Sequence, residues 1–406
     1  MGWSLFDKVY TSADTGKRKP NLGFYKHVLE DIAADPRSVV FVDGDPVNVF
    51  SARSLGTRGI VFGDQKRVIQ AIRNAVEDPV QRAEPYLRKN AKLLYSTTSN
   101  GATFMVEHER EWNFFQGEPI FINEALPCDL DTTSIALTVT GHSKEVISSV
   151  MDAMLKYVNE DGIVQVSCRS GSGSLLTGAQ PWFCPFRQTY FDHKILFFDP
   201  VVCVNVLTLF YANGRGHQLP HTFAWVRQVL IRRGYTDGTL YYNTPECFLF
   251  FMARLLEQIE GTEADLSLRP IFRERVQERT GSKGDALALA MRVLSCASVG
   301  IRDEVDLGAL LSLQQEDDGW EACWIYKYGY SGIDIGNRGL TTALAINAIE
   351  ALNYLPQTPL YQSQLPVLKS YRISIISPDS PVVGDRLQSC AKGVHRDRRG
   401  CPSPGE

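Results

Sequence analysis

Residues 129–133 read Asp-Leu-Asp-Thr-Thr, which places two carboxylates, Asp129 and Asp131, and two hydroxyls, Thr132 and Thr133, in one short run. A carboxylic acid can protonate an alkene only while it is neutral and held in place. A second carboxylate two residues away disfavours ionisation of both, so one proton tends to stay on the pair. The threonine hydroxyls can hydrogen-bond the acid that keeps it. Two acids with different duties are a recurring solution in acid catalysis. An aspartate-rich turn or helix N-cap would have the same local sequence, so the surroundings must decide.

Carbocation chemistry also needs aromatic faces, which stabilise a passing cation without offering a lone pair. Trp112, Phe114, Phe115, Tyr190, Phe191, Tyr241, Tyr242, Tyr328 and Tyr330 are candidates, and Trp320, Trp324, Tyr326, Tyr211 and Phe248 are carried forward as cation-stabilising residues. Core packing is the competing role for each. A diphosphate needs fixed positive charge, which Arg215, Lys327 or Arg338 could supply. His217 and His221 are four apart, but Pro220, Gly214 and Gly216 argue against one helix face carrying both. No P-loop, G-x-S-x-G or Rossmann glycine pattern occurs.

These groups have to be positioned by regular elements. Ser38–Val42 is an apolar run typical of a buried parallel strand, closed by Asp43-Gly44-Asp45. Helix-like residues 24–33 precede it, a helix is expected over 46–54, and Gly59–Phe62 reads as the next strand. Asp78–Ala91, with Pro79 and Pro85, is expected to be a linker. Beyond it the chain turns helical. Apolar residues at 146, 147, 150, 151, 154 and 155 mark one helix face. Residues 287–293 and 340–352 read as inner helices, and 303–315 as an outer one. Residues 167–188 look like an inserted loop, and 377–406 like a disordered tail.

Composition narrows the function classes. A chain of 406 residues that is 44% hydrophobic can bury a large core, and a net charge of -4 argues against nucleic acid as a partner. Nothing approaches an apolar span of about 18 residues, so stable membrane insertion is not expected. Nine cysteines without a C-x-x-C pattern suit reduced thiols and a cytoplasmic location.

The Asp129–Thr133 run resembles the D-x-D-T-T motif of class II terpene cyclases, and the chain most resembles the fused drimane-type sesquiterpene synthases, which join a haloacid-dehalogenase-like phosphatase to a class II cyclase. The likeness extends to Tyr190–His193, Asp199–Asn205, Tyr211–His217, Thr244–Phe248 and Asp318–Trp320. It implies a mainly α fold, with an α/α-barrel cyclase domain over residues 79–376 behind a partial α/β phosphatase-like segment over 1–78. It further implies farnesyl diphosphate as substrate, Mg²⁺ associated with its diphosphate, and a bicyclic drimane-type diphosphate as product. Asp131 would be the proton donor, tuned by Asp129, Thr132 and Thr133. In the phosphatase-like segment Lys19 would be the phosphoryl-steadying lysine, and Asp43 the metal-holding aspartate.

That segment departs from the family pattern. The usual Asp-Asp-x-x-Glu is here Asp43-Gly44-Asp45-Pro46-Val47, and the family's nucleophile motif has no counterpart in residues 1–78. A truncated remnant without phosphatase activity is therefore expected, with a separate phosphatase acting on the product. A bifunctional drimenol-type synthase that removes the diphosphate itself, and a catalytically dead remnant, are the alternatives. Asp317-Asp318-Gly319-Trp320-Glu321 matches the D-D-x-x-E metal motif of class I terpene synthases, while Gln315–Trp320 resembles the Q-and-W repeat that ties barrel helices together.

Overall fold

The computed structural model describes residues 6–90, 96–98, 103–104, 130–139, 142–165, 182–184, 189–191, 198–327 and 333–355. The chain divides into two compact units, one up to Pro79 and one from Val80 onward. The expected tail lies outside the described residues, as does most of the expected inserted loop.

The first unit contains α1 (Ser12–Thr15), α2 (Leu22–Asp31), β1 (Val40–Asp43), α3 (Pro46–Arg53), β2 (Arg58–Val61) and α4 (Gln65–Val76). Strands β1 and β2 are parallel, with Val40 opposite Arg58 and Asp43 opposite Val61. Successive strand residues point to opposite faces. Phe41 packs with Phe24, Tyr25 and Val49 from α2 and α3, whereas Val40 packs with Val68 and Ile72 from α4. This two-sided burial explains why the run is continuously apolar.

The second unit is mainly helical. It begins with α5 (Pro79–Asn90), the backbone strands β3 (Ser96–Thr98) and β4 (Thr103–Phe104), α6 (Leu130–Val139) and α7 (Lys144–Met154). Strands β5 (Trp182–Cys184) and β6 (Thr189–Phe191) form an antiparallel pair, so the tail end of the expected inserted loop joins a hairpin. Then come α8 (Pro200–Ala212), α9 (Pro220–Arg232), α10 (Pro245–Gln258), α11 (Glu263–Gln277), α12 (Ala286–Ala297), α13 (Glu304–Leu311), β7 (Trp324–Lys327), β8 (Asp334–Gly336) and α14 (Arg338–Tyr354).

The even-numbered helices pack in succession: α6 on α8, α8 on α10, α10 on α12, and α12 on α14. They are largely buried, and α8 is apolar on nearly every side. Helices α11 and α13 bridge the α10–α12 and α12–α14 pairs from outside, α9 packs on α8 and α11, and each buries only one face. An arc of inner helices backed by outer ones is thus directly visible.

The expected linker is a correction. Residues 79–90 form helix α5, which buries Val80, Ala83 and Tyr86. Pro79 stands at its start, where no backbone donor is needed, and Arg82 pairs with Asp318 far along the chain. A charged, proline-containing stretch reads as a linker because its ion-pair partner lies so distant in sequence.

A buried charge network ties the helices together. Glu246, in the first turn of α10, accepts from Arg279 at 2.6 Å and from Arg292 at 2.9 Å. Arg292 also donates to Asp306 of α13 at 2.8 Å. Buried charges persist only when paired in this way, so the Thr244–Phe248 motif contributes architecture through Glu246.

Candidate active site

Helix α6 begins at Leu130, which sets Asp131 in its first turn and aims the carboxyl into the protein, where it is 6% exposed. Two side chains from distant elements hold it. The Asn205 amide of α8 donates to one carboxyl oxygen at 2.7 Å, and the Tyr242 hydroxyl donates to the other at 2.7 Å. The Tyr326 hydroxyl from β7 lies 3.4 Å from that second oxygen and 3.0 Å from the Tyr242 hydroxyl. Complete burial, and then the charge of Asp131, push the Tyr242 phenol far above its ordinary value, so it stays protonated and remains a donor.

Each partner is placed by local chemistry. Asp199 caps α8, accepting the Val201 backbone N–H at 2.8 Å, with Pro200 in the first turn. That start sets the register of the whole helix and so the direction of Asn205. Tyr242 is delivered by a tight turn in which the Thr239 N–H reaches the Tyr242 carbonyl at 2.9 Å. Gly238 enters the turn at φ +76°, and a Cβ there would stand 2.6 Å from the Tyr242 carbonyl oxygen. Only glycine suits that position. An isolated antiparallel bridge then joins Tyr242 to Tyr326 and sets their rings 4.7 Å apart at a tilt of 42°.

The other expected site residues have varied placements. Asp129 lies outside the described residues, as do Trp112, Phe114, Phe115, Tyr328 and Tyr330. Thr133 is fully buried and Thr132 half-buried on α6, in the same turn as Asp131. Tyr326 is at the acid. Trp324, two residues earlier on β7, is half-buried against Gly336. Trp320 is fully buried and donates its indole N–H to the Leu310 carbonyl at 2.9 Å, so it is a packing post between α13 and α14. Phe248 is fully buried in a stack with Tyr235. Tyr211 lies two turns beyond Asn205 on α8, its ring lying against Gly216 and Phe223.

The expected diphosphate cations are also corrected in part. Arg215 reaches Ser148, Asp152 and Gln218, which locks α7 against the end of α8. Arg338 pairs with Asp317 at 2.8 Å, donates to the Trp320 carbonyl and covers the Tyr86 ring. Both guanidinium groups are engaged in architecture. Lys327 neighbours Tyr326 on β7 and donates to the Thr239 carbonyl at 3.4 Å.

The same ion pairs dispose of the class I motif. Asp317 is held by Arg338 and Asp318 by Arg82, so each carboxylate already has a cationic partner. His217 lies in the turn before α9 and His221 inside it, on no common helix face. In the first unit Lys19 and Asp43 do meet, at 2.5 Å. The other Asp43 oxygen accepts the Asp45 N–H at 2.9 Å and the Asn48 amide at 3.2 Å, while Asp45 caps α3. Among the described residues no three His, Cys, Asp or Glu side chains converge. A hard cation needs several oxygen ligands, so Asp43 in this setting does not fit a resident Mg²⁺ site.

Residues 103–172, which include the Asp129–Thr133 run, match the family model described as the sesquiterpene cyclase astC-like C-terminal domain. The chain is 39% identical over 367 residues to drimenol cyclase drtB of Aspergillus calidoustus, an alignment covering 86% of this chain and 65% of that protein. It therefore spans less than two thirds of that relative. It is also 38% identical over 74 residues to the sesquiterpene phosphatase astK of Aspergillus oryzae, covering 18% of this chain and 38% of that one. Among solved structures, a variant of the type II terpene cyclase MstE from Scytonema with geranylgeranyl dihydroxybenzoate aligns with a TM-score of 0.38 at 15% identity, over 57% of this chain and 75% of that one.

Asn205 closes the family-like stretch Asp199–Asn205, but the sequence reading gives it no role. Its signal is present nonetheless, because it is the one amide in the apolar run Val201–Phe210 of a helix buried all round. A polar group there must find a partner. That partner is Asp131.

No helix among the described residues is long and apolar enough to cross a membrane.

Proposed function

We propose that this chain is a class II sesquiterpene cyclase that protonates the terminal alkene of farnesyl diphosphate through Asp131 and forms a bicyclic drimane-type diphosphate. The observation that carries this reading is the buried Asp131 carboxyl, oriented by Asn205 and Tyr242, within the stretch matched by the cyclase family model. An alkene is a poor base, so its proton donor must be fixed at contact distance and kept from water. The two donors orient the acid and then stabilise the carboxylate left when the proton departs. The Tyr242 and Tyr326 rings offer π surface beside the newly formed cation. Their touching hydroxyls form a path by which a proton can return to Asp131.

Mg²⁺ is assigned to the substrate's diphosphate rather than to a protein cage. The product keeps its diphosphate in this reading, because the Asp43 and Asp45 carboxylates are engaged within their own turn. A separate phosphatase would then consume the product. The likeness to a sesquiterpene phosphatase favours a second reading, in which the first unit contributes to diphosphate removal. A cytoplasmic location belongs to the proposal and rests on the cysteine pattern.

The test is incubation of purified protein with farnesyl diphosphate and Mg²⁺, with half of each sample treated with phosphatase before mass spectrometry. A bicyclic alcohol seen only after phosphatase supports the cyclase reading, and the same alcohol in both halves supports the second. Farnesol alone after phosphatase overturns both.

A further inference from the structure

Helix α10 is buried on most sides, but Phe250 and Arg254 are half-buried and Glu257 is exposed. Residues spaced by four and then three share one helix face, so these three define the strip of α10 that α8, α11 and α12 leave uncovered. The strip borders the acid. The Arg254 guanidinium lies over the Phe251 ring at 5.9 Å, and that ring meets Tyr242 edge-on at 5.5 Å. The Tyr242 hydroxyl is bonded to Asp131. Two aromatic rings therefore separate a cation from the acid.

Arg254 also differs from the arginines that tie the helices of this unit together. Arg82, Arg215, Arg279, Arg292 and Arg338 each reach a carboxylate. Among the described residues Arg254 has no such partner; its recorded contact is the face of Phe251. Burial lowers its guanidinium from the ordinary value, with Glu257 and then Tyr242 acting in the opposite sense. A guanidinium stays charged throughout the working pH range. A partly desolvated cation opposed only by the exposed Glu257, with no carboxylate paired to it, gains from an arriving anion, and its fork suits phosphate oxygens.

We infer that Arg254 receives the diphosphate end of the prenyl substrate, an assignment that rests on Asp131 as the acid and deepens that reading. A substrate with an alkene at one end and a diphosphate at the other needs a donor and a cation, with apolar surface between them. Asp131 and Arg254 supply the two ends, joined through the buried Tyr242 and Phe251 rings. Arg215 and Arg338 are unavailable because their donors are already engaged.

The experiment uses the full chain, its Arg254→Gln and Arg254→Lys variants, and two readouts. Inorganic diphosphate is titrated against the melting temperature, and KM and kcat are measured with farnesyl diphosphate. Loss of one charge-assisted contact predicts an increase of about 10- to 100-fold in the diphosphate concentration needed for half-maximal stabilisation, and in KM, for Arg254→Gln. Lysine should restore part of both, and kcat should change less than KM. Equal diphosphate response in wild type and Arg254→Gln overturns the assignment, as does a wild type indifferent to diphosphate. If both proteins cyclise farnesyl diphosphate with the same KM, Arg254 loses its role while Asp131 keeps its own. If diphosphate binding depends on Arg254 but no cyclised product forms, the anion site stands and the cyclase reading falls.

Discussion

Asn205 and Asp131 lie 74 residues apart and share a buried hydrogen bond of 2.7 Å between the first turn of α6 and the middle of α8. It joins a group read directly from a motif to one buried in an apolar run. The contact fixes one carboxyl oxygen from one side while Tyr242 fixes the other, so the acid has a defined direction. A carboxyl held at both oxygens cannot rotate away from a substrate without breaking a bond in a medium where bonds are costly to leave unmade.

The first prediction concerns the proton itself. Asp131→Asn preserves shape and can still accept one of the two donors, but it carries no acidic proton. Cyclisation of farnesyl diphosphate should fall by at least about 10²- to 10⁴-fold, the usual contribution of a positioned acid. The melting temperature should change by only a few degrees. Product formation by mass spectrometry and thermal melting on the same preparation check both halves, and an active variant removes Asp131 from its role.

Tyr242 and Tyr326 make a graded pair. Tyr242→Phe deletes a donor at 2.7 Å and leaves a buried carboxyl oxygen short of a partner, which costs about 1–3 kcal/mol. Tyr326→Phe deletes a contact of 3.4 Å and should cost less. Cyclisation rate should follow the same order, with Tyr242→Phe the slower enzyme. Denaturant melts and initial rates on both variants test the ranking. A Tyr326→Phe variant slower than Tyr242→Phe would contradict it.

Much of this arrangement is legible in sequence, and the failures have a common cause. The parallel strands β1 and β2 and the inner helices α12 and α14 follow from apolar periodicity, because burial pattern is a local property. Asp131 follows from a motif, because acid chemistry uses few residue types. Arg215, Arg338 and Asp317 are misread because a charge looks the same in sequence whether it is paired or free. Their partners, Asp152 for Arg215 and the Arg338–Asp317 contact itself, are set by how helices cross, which no local pattern encodes. Helix α5 is missed for the same reason, since Arg82 finds Asp318 across most of the second unit. Arg254 escapes notice because a guanidinium without a paired carboxylate looks in sequence like any other.

Metal dependence separates the two aspartate motifs. If Asp317 and Asp318 held a catalytic Mg²⁺, their joint replacement by asparagine would stop the reaction. Their ion pairs with Arg338 and Arg82 predict instead that Asp317→Asn/Asp318→Asn retains cyclisation within about tenfold and loses stability, more through the less exposed Asp318 pair than through the Asp317 pair. Rates and melts of the double variant distinguish these outcomes. Chelation of Mg²⁺ should act on KM for the substrate diphosphate and leave the melting temperature of the free protein unchanged.

A last prediction comes from the acid pair that anchors α13. Asp303 is 2% exposed, and burial, followed by its hydrogen bond with Asp306, pushes its carboxyl up to about 6. Asp306 is likewise opposed by burial, but its bonds with Arg292 hold it below its ordinary value. An acid whose folded value lies above its unfolded value lowers stability as pH rises between the two, so Asp303 should make the fold more stable at pH 5 than at pH 7, by about 1 kcal/mol. The contribution of Asp306 runs the other way, but it is lost only as pH falls below about 4, the unfolded carboxylate range, and so stays outside this window. Asp303→Asn keeps a side chain that can cap α13 through the Asp306 N–H and removes the titration. Groups that the substitution does not touch cancel in the comparison of the two proteins. The melting temperature of wild type should therefore fall relative to Asp303→Asn by about 2 °C between pH 5 and pH 7, and a difference that stays constant with pH would place the proton elsewhere in the pair.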